Sequence, residues 1–283
     1  MTTLIIGGDG LIGQSLTRSL RGRGRPVLST TRRPDRAGAD QPLLDLGAIP
    51  EDWLPAAGAA ILCAARPSQQ DCLDHPEETR AVNVEAVGRI GAVLAKAGIF
   101  TLFLSTSLVF DGARPEMAAD SPYRPIGAYG AQKAEAEQIL RALFSPDDLA
   151  IVRLSKVLEP DAPLLQGWRR ALREGQPIHP FDDVLISPIS LAFATEALSR
   201  IAEARIGGVF QISAADEVSY ADLALGLADR WQADAALVMP RPGRSINPVM
   251  RDAPAHGSLD TRRAATLLGL APPTTADMIG EIA

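Results

Sequence analysis

Leu4-Ile5-Ile6-Gly7-Gly8-Asp9-Gly10-Leu11-Ile12-Gly13 decides how the rest of the chain is read. A short apolar run meets glycines at positions 7, 10 and 13, and the residues that follow have helical spacing. A strand that turns sharply into a helix needs a glycine at the turn. A second glycine lets the backbone approach a pyrophosphate, and a third lets the helix pack on the sheet. The helix N-terminus then presents free N–H groups and the positive end of its dipole to an anion. Gly7, Gly10, Leu11, Ile12 and Gly13 are therefore the first candidates for holding a dinucleotide.

Outward from this turn the first half alternates. Strands are expected at 2–6, 26–30, 59–64, 100–105 and 149–154, short and apolar without strict polar alternation, as strands buried on both faces read. Helices are expected at 11–22, 78–97 and 128–144, the second with Val82, Ala86, Val87, Ile90 and Val93 along one stripe. Alternating strands and helices imply a parallel sheet with right-handed crossovers, a Rossmann-type doubly wound α/β fold. The second half is richer in Pro and Gly. It suggests a helix at 189–204, a strand at 208–212, a helix at 219–232 capped by Ser219 and a structured loop over 239–258. The expected division is a dinucleotide-binding domain over 1–155, to which 184–213 returns, and a smaller substrate lobe from 156–183 and 214–283.

An NAD-type site wants an acid about 20 residues beyond the glycines, at the end of the second strand. Here that strand runs out through Thr30 and Thr31 into Arg32 and Arg33. Guanidinium forks suit a 2′-phosphate, so NADP is the expected cofactor, with NAD as the alternative. Asp45-Leu46, read as ending a third strand region, falls where the adenine ring commonly lies. Ala64-Ala65-Arg66, at a further strand exit, leaves room for cofactor.

Tyr129-Gly-Ala-Gln-Lys133 heads a helix, and residues four apart share a helical face. A phenol titrates near ~10, and a nearby ammonium favours its ionised form. Such a tyrosine can give a proton to a carbonyl oxygen as hydride arrives at carbon. Thr106, at the end of the 100–105 strand, can hydrogen-bond the same oxygen. Thr106, Tyr129 and Lys133 are the candidate catalytic residues, and Lys133 and Tyr129 also face the expected cofactor. Ser107, Lys156 and Arg251 join Thr106 as candidate substrate contacts. Trp168, Phe181 and Arg244 are further candidates in the second lobe, where arginines could grip a diphosphate.

The 283 residues carry a net charge of -6, against a general nucleic-acid binder. Cys63 and Cys72 form no CxxC pair, and with His75, His179 and His256 scattered no metal site is expected. No apolar stretch is long enough for a membrane span, and no basic region precedes the first strand, so a cytoplasmic enzyme is expected.

Together these pieces resemble the extended short-chain dehydrogenase/reductase family. Gly7-xx-Gly10-xx-Gly13 matches its glycine loop, Tyr129-xxx-Lys133 its catalytic pair and Thr106 its active-site Ser/Thr. Asn83 falls at its structural asparagine. Within the family, Ser105-Thr106-Ser107-Leu108-Val109-Phe110-Asp111-Gly112 is similar to the Ser-Thr-Asp-Tyr-Val-Phe-Asp-Gly of the dTDP-4-dehydrorhamnose reductases. The tail from Arg251 to Thr261 is also similar to theirs. The resemblance implies reduction of a 4-keto group on a nucleotide-linked deoxysugar, with Tyr129 as proton donor. A homodimer is compatible with it. The chain departs from that branch at Ser107 and Leu108, which replace Asp-Tyr, at Lys156, which replaces a tryptophan, and at Cys63, which replaces an asparagine. Two other functions share the fold: a sugar-nucleotide epimerase or dehydratase that retains its cofactor, and a cofactor-binding regulatory subunit. The absence of an acid pair at Thr106-Ser107 counts against a dehydratase.

Overall fold

The computed structural model describes residues 1–50, 53–251 and 253–283. Asp252, in the tail singled out above, lies outside the described residues. Six strands form the main sheet: β1 (Thr3–Ile6), β2 (Val27–Ser29), β3 (Ala59–Leu62), β4 (Phe100–Thr106), β5 (Leu149–Leu154) and β6 (Gly208–Ile212). Their spatial order is β2-β1-β3-β4-β5-β6. β1 pairs in parallel with both β2 and β3, and β3 with β4. The chain therefore steps to one side of β1 and then to the other, and ligands of such sheets gather at the carboxyl ends of the strands beside that reversal. Helices α1 (Leu11–Gly22), α2 (Val87–Lys96), α3 (Ala128–Leu143) and α4 (Leu191–Ala204) accompany the sheet.

β1, β3, β4 and β5 are buried at every position, which is why they read as unbroken apolar runs. The core that fixes them gathers Leu4, Ile6, Leu62, Ile90, Leu94, Phe103, Leu140 and Ile151 from strands and helices alike.

Four sequence expectations need correction. Asp45 ends no strand: beside β2 the segment before it makes a single parallel bridge, Thr31 to Leu43, and the next strand among the described residues is β3. The helix expected at 78–97 is not one continuous α-helix. A short helix at Pro76–Arg80 and a π-helical stretch at Ala81–Ala86 precede α2. The wider π turn rotates the face, so Asn83 and Val84 are buried while Val82 and Val93 are only half-buried. The helix expected from 189 starts at Leu191, because Ile189–Ser190 pairs with Val157–Leu158 and the Ser190 hydroxyl accepts the Phe193 N–H. Finally, 262–268 and 275–282 are helical, although neither was expected to be.

By internal contacts the chain divides into two units. One comprises 1–106, 128–153 and 195–210, the other 107–127, 154–194 and 211–283. The stretch 107–127 thus clusters apart from the sequence that flanks it. The second unit has its own core, in which Trp168 packs with Leu165, Leu223, Leu227, Met278 and Ile282. Ser219 caps the helix Tyr220–Arg230 through a reciprocal box with Asp222. No helix among the described residues is long and apolar enough to cross a membrane.

Candidate active site

The glycine turn is built by backbone constraint. Gly7 has φ +97°, and a Cβ there would come within 2.5 Å of the Ala64 nitrogen. A Cβ on Gly13 would come within 2.3 Å of the Gly7 oxygen. Both positions therefore need glycine to close the fold. Gly10 is different: a Cβ there would meet only the Gly7 oxygen, at 3.4 Å. Among the described residues nothing demands glycine at position 10, so its missing side chain leaves open space at the head of α1. Gly10 is the N-cap of α1 and offers no side-chain cap, and the N–H groups of Leu11, Ile12 and Gly13 are matched to no acceptor among the described residues. Donors that point out of an uncapped helix start suit a pyrophosphate.

A carboxylate also stands at the end of β2, although none directly follows that strand in sequence. Asp9, from within the glycine turn, accepts the Thr31 hydroxyl at 2.9 Å and the Arg32 N–H at 3.1 Å. The Thr31 hydroxyl oxygen in turn accepts the Arg33 N–H. The side chains of Arg32 and Arg33 are exposed, with no partner among the described residues. Asp45 is exposed and closes a local turn by accepting the Gly47 N–H at 2.9 Å, while Leu46 packs at the margin of the core.

Ala64 and Ala65 follow β3 and are half-buried. Arg66 is corrected as a cofactor ligand through its side chain. Its guanidinium is held by Asp71 and Glu78, at 2.8 and 3.0 Å, and its backbone N–H is taken by Asn83. Asn83 also donates to the Arg66 carbonyl and to Gln132, which anchors this strand exit to α3.

Tyr129 and Lys133 lie one turn apart at the start of α3. The ammonium of Lys133 rests 3.8 Å from the centre of the Phe103 ring and is 2 % exposed. Burial drives its pKa down to about 7, partly offset by Glu137 and by Cys63. The expectation that Lys133 would lower the tyrosine's pKa does not hold in the chain alone. Burial pushes the Tyr129 phenol above its ordinary value, with a smaller contribution from Cys72. A lysine that has itself given up part of its charge to desolvation cannot dominate its neighbour. Burial likewise lifts the Cys63 thiol to about 12, against the opposing pull of Lys133.

One turn beyond Lys133, Glu137 is wholly buried. It accepts hydrogen bonds from Nε and Nη2 of Arg153 on β5, the shortest at 3.1 and 2.7 Å, and one from the Ser105 hydroxyl of β4. Thr106 follows Ser105 and is itself buried. The Ser105 hydrogen bond therefore ties the tyrosine–lysine helix to the strand end that carries Thr106, and the ion pair ties it to β5. Neither Glu137 nor Arg153 was singled out from the sequence. A charged residue inside the apolar run Leu149–Leu154 was the available signal, because a buried guanidinium requires a partner.

The remaining candidates belong to the second unit. Ser107 opens a single 3-10 turn that ends at Val109. Lys156 and Arg251 are exposed. Trp168 is a core residue rather than a pocket wall. Phe181 makes an edge contact with Tyr220, and a Cβ on Gly243 would lie 2.5 Å from its ring. Arg244 donates to the carbonyls of Asp183, Ala253 and Pro254 through Nε, Nη1 and Nη2, so all three of its nitrogens are engaged in fastening its loop to Asp183. Glu217, which sequence reasoning missed, receives the N–H groups of Gly257 and Ser258 and pairs with His256.

A family model described as the RmlD substrate binding domain matches residues 1–283. Among curated proteins, the dTDP-4-dehydrorhamnose reductase of Burkholderia thailandensis is 27% identical, over 99% of this chain and 97% of that one. The methionine adenosyltransferase 2 subunit beta of Bos taurus is 24% identical, over 93% and 81%. Among solved structures, MoeE5 in complex with UDP-glucose and NAD superposes with a TM-score of 0.84 at 23% identity, covering 100% and 97% of the two chains. A dTDP-4-dehydrorhamnose reductase from Bacillus anthracis in complex with NADP gives 0.86 at 18%, covering 99% and 98%. Similarity at these identities shows the Rossmann-type fold.

Proposed function

The chain belongs to the RmlD substrate binding domain family, and on that premise we propose that it is an NADP-dependent reductase of a keto group on a nucleotide-linked sugar. NAD is a second, weaker cofactor. The observation that carries the reading is Lys133: a lysine 2 % exposed, over an aromatic ring, with no ion pair among the described residues, one turn from Tyr129. Burying an unpaired ammonium is costly, and such groups gather where chemistry needs them.

Reduced nicotinamide, when bound, supplies the hydride. Gly10 and the open N–H groups of Leu11, Ile12 and Gly13 hold its pyrophosphate, and Arg32 and Arg33 face the adenosine end. Tyr129 gives the proton. Burial keeps the phenol protonated at neutral pH, so the proton is present before the substrate oxygen draws it off. Lys133, poised near neutrality, supports the phenolate left behind, and Thr106 donates to the same substrate oxygen. The second unit binds the sugar nucleotide, with Ser107, Lys156 and Arg251 as contacts.

Absorbance of the reduced nicotinamide tests this directly. A nucleotide-linked 4-keto sugar should oxidise NADPH in a one-to-one ratio. Product formed with no net cofactor change would instead make the chain an epimerase. The similarity to the beta subunit of a methionine adenosyltransferase supports a second reading, a cofactor-binding regulatory subunit. Tight NADPH binding with no turnover of any keto-sugar would favour it.

A further inference from the structure

Asp9 occupies an unusual place. In dinucleotide sites the acid that holds the adenosine ribose 2′-hydroxyl comes from the end of the second strand, about 20 residues after the glycines. Here the strand end supplies arginines, and the carboxylate at that spot comes from the glycine turn. It is fixed there by the Thr31 hydroxyl and the Arg32 N–H, at 2.9 and 3.1 Å. Thr31 is 1% exposed and also takes the Arg33 N–H, so the carboxylate, the strand end and both arginine backbones form one bonded unit.

A carboxylate has about four lone-pair sites. Oδ2 accepts both the Thr31 hydroxyl, at 2.9 Å, and the Arg32 N–H, at 3.1 Å, whereas Oδ1 shares only the Thr31 hydroxyl, at 3.1 Å. Asp9 is half-buried, so Oδ1 keeps acceptor capacity at the strand exit. Bonds to Thr31 and Arg32 prevent the group from swinging aside when an anion arrives.

We propose that Asp9 is the residue that limits preference for NADPH over NADH. Its carboxylate accepts a hydrogen bond from the 2′-hydroxyl of NADH and repels the 2′-phosphate of NADPH, against the pull of Arg32 and Arg33. The chain therefore takes both cofactors, and the balance is set by one acid and two bases at a single strand end. This rests on the cofactor reading given above.

The test is the ratio of NADH to NADPH dissociation constants, followed by nucleotide fluorescence, in the wild-type chain, Asp9→Asn and Asp9→Ser. Thermal unfolding without cofactor checks that each variant folds. Both variants can still bond Thr31 or the Arg32 N–H without the charge, so if one is unstable the other carries the measurement. Removing a unit charge beside a phosphate should move the ratio toward NADPH by about tenfold. Both cofactors bound with a ratio within about twofold of wild type would overturn the assignment of Asp9 alone. Binding of neither cofactor by the wild-type chain would overturn the cofactor reading, and this inference with it.

Discussion

The glycine turn and the Tyr129–Lys133 helix are two halves of one proposed site in the first unit, built on opposite principles. The turn is made of backbone. Its shape follows from steric limits at Gly7 and Gly13, and its open N–H groups carry full dipoles whatever the solution conditions. The helix start is made of side chains whose charge states depend on burial. Lys133 has given up part of its charge and Tyr129 is held protonated. One half is preformed; the other is poised. The difference shows that a motif quoted as residue letters can specify a geometry completely and an electrostatic state hardly at all.

The largest effect should come from the poised half. Tyr129→Phe should lower turnover by about 10²–10⁴-fold and leave the NADPH dissociation constant nearly unchanged. Steady-state rates with titrated cofactor binding check it, and retained activity would mean another group donates the proton.

Next is the anchor beneath that helix. Glu137→Ala leaves Arg153 buried without its partner, at a cost of about 3–5 kcal/mol in chemical denaturation. Glu135 lies on the same helix and pairs with Arg80, with more than two-fifths of each side chain exposed. Its replacement by alanine should change stability by less than about 1 kcal/mol. Equal losses from the two would remove the special status given to the buried pair.

The preformed half should split by position. Gly7→Ala forces a left-handed φ and a backbone clash, and should destabilise by about 3 kcal/mol or more. Gly10→Ala should alter stability by about 1 kcal/mol or less while weakening NADPH binding at least about tenfold. Unaltered binding by the Gly10 variant would mean that the space at the head of α1 is not used by a pyrophosphate.

The smallest effect is a pH dependence. Lys133 titrates at about 7 in the folded chain and at 10.5 ordinarily, so between those values the unfolded chain binds more protons. Stability from this group therefore rises with pH across that window. The opposite contribution of Cys63 begins only near its ordinary value of 9.0, where the unfolded thiol ionises first. Unfolding followed from about pH 7 to about pH 8.5 should show a gain in the wild type that is lost in Lys133→Met. An identical slope in the two proteins would show that the lysine carries its full charge when folded.

Much of the fold was legible. Of the strands that read as short apolar runs, β1, β3, β4 and β5 are buried at every position, and α1 begins and ends where its pattern predicted. The exceptions have local causes. The π turn at 81–86 breaks a register that a 3.6-residue stripe assumes, in favour of burying Asn83 where it bonds Arg66 and Gln132. The 275–282 helix was readable after all, since Thr274 and Asp277 have capping-box spacing and form the box. Arg244 was taken as a ligand contact on residue type, Arg66 from its place at a strand exit and Trp168 from its place in the second lobe. Type says what a side chain can bind but not what is already beside it.

By itself the sequence determined the order of strands and helices, the turn between β1 and α1 and the spacing of Tyr129 from Lys133. These are set by steric limits and periodicities that act over a few residues. Only the tertiary structure decided which charges are spent and which remain. It paired Glu137 with Arg153, closed Arg244 on its own loop, laid Lys133 over Phe103 and brought the Asp9 carboxylate to the end of β2. The physical reason is that desolvation and Coulomb interaction depend on distances through space, which the linear order of residues does not carry.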